Sequence, residues 1–243
     1  MFDISPKWGR IKVWLYVDKI RALKAKKIIW PEDNFGDDMW IMTVDGTHCW
    51  IEEPQHPEWS QDREYYSHKY NKAGINYELG ISISTQQLIW MNGPFKAGMN
   101  DKFVFTEKGL ESKLLEIGKK AIGDGGYGGH QEAISAPNRT DSYSVRKFKS
   151  RALLRHETFN GRTKRFHSIN SRFRHGPQQF AKCFEAICVI CQYMIENNEP
   201  LFDVLIEDIL EENENSEDES EFDCSDASSG DDGKSTSSAG ESN

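Results

Sequence analysis

Between residues 39 and 196 the chain alternates short apolar runs of strand length with longer runs of helical periodicity, and this order is its strongest constraint on fold. Residues 39–44, ahead of Asp45-Gly46, fit a short buried strand that the Asp-Gly pair would close. GINYELGISIS (74–84) and QQLIWMNGPF (86–95) fit two more strands, so the first three could form an antiparallel meander. FVFTEKGLESKLLEIG (103–118) places Phe105, Leu110, Leu114 and Ile117 on one helical face. KKAIGDGGYGG (119–129) gives a brief strand ending at Asp124 in a glycine-rich turn. Residues 142–175 read as basic helix and 179–196 as an apolar helix packed on the sheet. Strands, helix, strand, helices predict an α/β fold: a mixed sheet flanked by helices.

Outside that region the chain changes character. Residues 1–38 form a helical N-terminal segment, with apolar and basic residues interleaved over 8–30 and an acidic turn, PEDNFGDD, after it. HPEWSQDREYYSHKYNKAG reads as an irregular or hairpin-like excursion. Residues 207–243 hold 14 acids and one base, are rich in serine and nearly free of apolar side chains, and are expected to be disordered. Removing that tail inverts the charge. The whole chain is −9, but residues 1–206 hold 29 Lys and Arg against 25 Asp and Glu, a net of +4. No run is long and apolar enough for a membrane span, and no apolar signal core opens the chain, so a soluble intracellular protein is expected.

The five cysteines are Cys49, Cys183, Cys188, Cys191 and Cys224. Their odd number argues against a disulfide framework. Cys188-x-x-Cys191 lies in an apolar helical run without a second CxxC or paired histidines, so small core residues are favoured over a zinc site.

Three acids stand out by context. Asp45 and Asp124 each follow an apolar strand, where an open α/β sheet places its crevice. Glu157 is the one acid in the basic run from Leu153 to His175. Taken singly, the two aspartates are ordinary turn residues and the glutamate an ordinary surface ion pair. Together they suggest a division of labour. Carboxylates would hold hard divalent ions, while Arg151, Arg155, Arg162, Lys164 and Arg165 hold a nucleic-acid backbone. Asn160 and Lys164 share the helical face of Glu157, whereas His156 does not. Asp101 is assigned as the cap of the helix that follows it, in preference to a role at the site. His48 is assigned a structural role.

VDGTHCWI, IGDGGYGG and RHETFNGRTKRFHSINSRFRH, in this order, resemble the three blocks of a DDE transposase, in particular the PIF/Harbinger-like branch of the DDE superfamily endonucleases. The resemblance spans about residues 39–196. It implies a ribonuclease-H-like fold over 39–206, with Asp45, Asp124 and Glu157 as a catalytic triad holding two Mg2+ or Mn2+ ions. It also implies DNA as substrate, a separate DNA-binding protein as a further partner, and a nuclear location, or a cytoplasmic one if the chain is not imported. The rival expectation is a non-catalytic, domesticated derivative that binds DNA or protein through the same fold.

Overall fold

A computed structural model describes residues 5–31, 36, 38–52 and 63–205. Residues 206–243, with the acidic tail, and residues 53–62, with the first part of the excursion after the first strand, lie outside these residues.

The core begins with β1 (Trp40–Trp50), and the short β2 (Tyr66–Ser67) leads into β3 (Lys72–Ser82) and β4 (Leu88–Lys96). β1 pairs antiparallel with β3, and β3 pairs antiparallel with β4, which is the expected meander. Two helices follow, α3 (Asp101–Glu107) and α4 (Leu110–Glu116). The single helix expected over 103–118 is broken by Gly109, whose φ of +97° ends one helix and admits the next at little steric cost. β5 (Lys120–Ile122) then returns parallel to β1, and β6 (Ile134–Ser135) lies parallel to β5. The sheet order β4–β3–β1–β5–β6, with β2 also on β3, is mixed and ribonuclease-H-like.

One correction concerns β1. The sequence places Asp45-Gly46 at a strand end, but the strand runs through both residues to Trp50. Backbone pairing with β3 continues without a break from Met42↔Ser82 to Trp50↔Gly74. Nine cross-strand pairs outweigh the local turn preference of an Asp-Gly pair.

Side-chain alternation divides the sheet into two layers. Met42 and Val44 point to one face and pack with Phe105, Leu110, Leu114 and Tyr127. The other face of β1 and β3, with Cys49, Ile75, Tyr77, Leu79 and Ile81, meets α5 (Tyr143–Lys164) and α7 (Pro177–Glu196), which a short α6 (His167–Asn170) separates. α7 presents Phe180, Phe184, Ile187, Cys188, Cys191 and Ile195, an i, i+4, i+7, i+8 stripe. Cys188 and Cys191 are therefore free, buried core residues, as expected.

The N-terminal segment forms α1 (Pro6–Arg21) and α2 (Lys24–Lys27) and packs on the outer side of α7. Glu185 of α7 is 5% exposed. It accepts from Arg21 Nε at 2.5 Å and Lys24 Nζ at 3.1 Å, so two cations offset the burial of one carboxylate. No helix among the described residues is long and apolar enough to cross a membrane.

Candidate active site

The parallel pairing of β1 with β5 brings the two aspartates side by side. Thr43 is in register with Ile122. Two residues further along the chain from this pair are Asp45, still within β1, and Asp124, just past the end of β5, and the charge of Asp124 reaches Asp45. Asp124 has just left β5 and caps a 3₁₀ turn, Gly125–Tyr127, by accepting from Gly126 N at 2.8 Å. Tyr127 anchors that turn in the core and lies edge-on to Phe105.

Asp45 points to the α5 face. Its Oδ1 accepts from Gly46 N at 2.8 Å and its Oδ2 from Asn160 Nδ2 at 3.0 Å. Asn160 Oδ1 in turn accepts from Thr47 Oγ1 at 2.8 Å. One turn earlier on α5, His156 Nδ1 meets Thr43 Oγ1 at 2.9 Å. These bonds register α5 against alternate residues of β1, and the register places Glu157 one helical turn before Asn160, on its face. Glu157 is exposed, as is Asp124. Burial, foremost, pushes the Asp45 carboxyl up to about 6, and the charges of Glu157, Asp124 and Asp101 add to the shift against the opposing Gly46 N–H. The three acids singled out by sequence thus act on a common electrostatic field.

A fourth acid shares that field, and its assignment changes. The helix cap of α3 is Asn100, whose side chain accepts from Lys102 N at 2.9 Å. Asp101 instead lies against Gly46 on the reverse face of β1. A Cβ on Gly46 would stand 2.5 Å from Asp101 Oδ1, so the strand needs glycine here to let the carboxylate approach. Burial raises the Asp101 pKa, and Asp124 adds to this against Lys69. Beside it Glu78, across from Gly46 on β3, is 2% exposed and is pushed up to about 7, chiefly by burial.

The basic residues divide differently from expectation. Arg155 is fully buried and donates through Nη2 to the carbonyls of Ser82 and Ile83, both at 2.9 Å. It cannot reach a phosphate. Its position at i−2 from Glu157 turns it into the core. Arg162 donates to the carbonyls of Glu199 and Pro200, and the Arg151 guanidinium lies 5.9 Å from the Phe202 ring. Both lie against the segment after α7. Arg165 is exposed, and its charge lowers the Cys191 pKa in opposition to burial, which dominates, so it lies toward α7. Lys164 is exposed and its charge reaches His48, placing it near the distal end of β1 on the Glu157 side.

Two lysines were missed. Lys69 has a raised pKa, for which the charge of Tyr70 is the largest cause, followed on the raising side by Asp101, Asp124 and Asp45. Lys102 Nζ donates to Gly128 O at 2.9 Å and ties α3 to the glycine-rich loop. Lys69 falls in an excursion without periodicity, and no local signal points it at the acids. His48, assigned a structural role, bonds through Nδ1 to Asn76 Oδ1 at 3.0 Å and stacks on Tyr70.

The mixed sheet, with Asp45 within its first strand and Asp124 just past its fifth, defines a ribonuclease-H-like fold. A family model described as DDE superfamily endonuclease matches residues 44–192, and the chain belongs to that family. The matched span begins one residue before Asp45 and includes Asp124 and Glu157. No curated protein and no solved structure matches the chain. Membership makes this a domain of the DDE superfamily endonuclease type.

Proposed function

We propose that Asp45, Asp124 and Glu157 hold two divalent ions, Mg2+ or Mn2+, and that the chain cuts DNA phosphodiester bonds through them. The single observation behind this reading is the state of Asp45. Its carboxylate is drawn into the sheet, held by Asn160 and Gly46, and pushed up to about 6 by burial and by neighbouring acids. Like charges gathered around a partly buried carboxylate fit a cation site, because a cation removes the penalty that raises the pKa. The donors are hard oxygens, which suit Mg2+ and Mn2+.

Among the described residues no three His, Cys, Asp or Glu side chains are already gathered at ligand distance. Asp45 is the fixed member, while Asp124 and Glu157 are exposed, and Asp124 has to release Gly126 N to turn inward. When bound, such ions activate the attacking water or hydroxyl and stabilise the charge on the attacking and leaving oxygens. The protein's part is positioning. Asn160 orients Asp45, the Thr43–His156 and Thr47–Asn160 bonds fix the height of Glu157, and the 3₁₀ turn holds Asp124. Lys164 and Lys69 flank the acids, where a phosphate backbone would pass.

Asp124→Asn is expected to abolish Mn2+-dependent nicking of plasmid DNA with an unchanged circular dichroism spectrum. Equal nicking by the variant would remove Asp124 from the mechanism. Salt-dependent DNA binding without nicking by the wild-type chain would support the non-catalytic, DNA-binding alternative instead.

A further inference from the structure

A cleft of about 310 Å³ opens beside the acids, on the reverse face of β1, with Gly46 and Asp101 among its lining residues. Asp101 is the carboxylate that lines this cleft, and its charge, with those of Asp124 and Asp45, reaches Lys69 on the same lining. His48, Asn76 and Tyr70 line it as well. Its volume is near the lower limit of small-ligand sites, roughly 300–1,000 Å³. That space suits one flat ring system.

Its wall is an organised aromatic platform. The rings of His48 and Tyr70 are stacked, with centroids 4.5 Å apart and planes 23° from parallel. His48 cannot shift away from Tyr70 easily, since Asn76 holds its Nδ1 and the Gly74 backbone lies against its other side. A Cβ at Gly74 would stand 2.2 Å from His48 Cε1, so a side chain there would displace the ring. Tyr70 is 44% exposed, and Lys69 Nζ lies over its ring, 5.5 Å from the centroid. Lys69 beside it supplies positive charge, and Ser67, Asn76 and Asn100 supply polar edges. A second cleft, of about 370 Å³, is lined by Asp124 itself; of its two rings Tyr127 is 3% exposed and His130 is tied to Glu111 at 2.6 Å.

We propose that the cleft beside β1 receives one unpaired nucleotide of the DNA substrate, its base stacked on Tyr70 while the adjoining phosphate lies at the carboxylates. This rests on the DNA-cleaving reading above and adds a substrate form to it, an end or flank with an unstacked base. Base–aromatic stacking tolerates any base, because each has a π face. The cost of unpairing is least where the nucleotide is already single-stranded, so the cleft favours such DNA over continuous duplex.

The test measures binding of the full chain in Ca2+ to two fluorescent hairpins. One carries a four-thymidine single-stranded extension, and the other carries the same extension with its bases removed. Both present the same phosphates, so the backbone contribution cancels. Wild type is expected to bind the base-bearing hairpin roughly 10-fold tighter. Tyr70→Ala should bring the two within about 2-fold, and Tyr70→Phe should keep the preference. Equal wild-type affinities, a preference that survives in Tyr70→Ala, or no binding of either hairpin would each overturn the proposal. A nicking assay on the same preparation separates the two ideas. Nicking without base preference sinks the cleft alone, and preference without nicking sinks the metal-ion reading alone.

Discussion

α5 and α7 are of similar length and lie side by side on one face of the sheet, yet they are held there by different forces. α7 buries mostly apolar side chains, including Phe180, Phe184, Ile187 and Val189, and Phe184 stacks on Tyr77 with centroids 4.4 Å apart. α5 buries Lys149, Arg155, His156, Asn160 and Thr163 beside only three apolar residues, Phe148, Ala152 and Phe159. Apolar packing is roughly proportional to area and does not depend strongly on direction. Hydrogen bonds are directional. α7 therefore supplies adhesion, while α5 is fixed at a particular height and rotation against β1. The helix that bears Glu157 is the one whose placement needs that definition.

The contrast can be broken first at α7. Phe184→Ala is expected to destabilise the fold by about 3–5 kcal/mol, the usual cost of emptying a buried aromatic site. Chemical denaturation would measure it, and nicking by the fraction that remains folded should be near normal. A specific loss of nicking in fully folded Phe184→Ala would mean that α7 does more than adhere.

Asn160→Ala tests α5. The change leaves Asp45 Oδ2 and Thr47 Oγ1 without their shared partner, at a stability cost of about 1–3 kcal/mol. Nicking is expected to fall ~10–100-fold at a temperature where the variant is folded, as when an orienting partner of a metal ligand is lost. Proportional losses of stability and activity would show that Asn160 is merely structural.

The smallest effect concerns charge. The Asp45 carboxyl stands at about 6 in the fold against an ordinary 3.8, so the native state holds this proton more tightly than the unfolded chain. Its contribution to stability is fully present below about pH 4 and is lost as pH rises through about 6. Metal-free Asp45→Asn should accordingly be more stable than wild type at pH 7, by about 1–2 kcal/mol after allowing for partial solvent screening, with little difference near pH 4. Melting curves in chelator at the two pH values check this, and Mn2+ should narrow the gap by stabilising wild type alone. A destabilised Asp45→Asn at pH 7 would count against a strained Asp45 charge.

How far the sequence reaches follows the same division. The apolar stripe of α7, the meander and the three acid-bearing blocks are legible because periodicity and short-range patterns encode them. Asp45-Gly46 misleads, since the pair has turn chemistry, and its glycine is required by Asp101, which lies 55 residues later in the chain. Arg155 misleads because a guanidinium reads as surface charge, whereas here two backbone carbonyls of the 82–83 turn receive it in the core. Asp101 reads as a cap because it opens α3, although Asn100 before it does the capping. In each case the deciding partner is distant in sequence, and no local pattern announces it.

The most direct test of the central claim is a crystal soaked in Mn2+ and measured at the manganese anomalous edge. Two peaks roughly 3.5–4 Å apart are expected, with Asp45 a ligand and Asp124 and Glu157 turned inward to complete the site. A manganese ion that Glu157 or Asp124 leaves untouched, or no peak beside Asp45 at all, would contradict a two-ion carboxylate site and leave the chain with the fold of an endonuclease but not its chemistry.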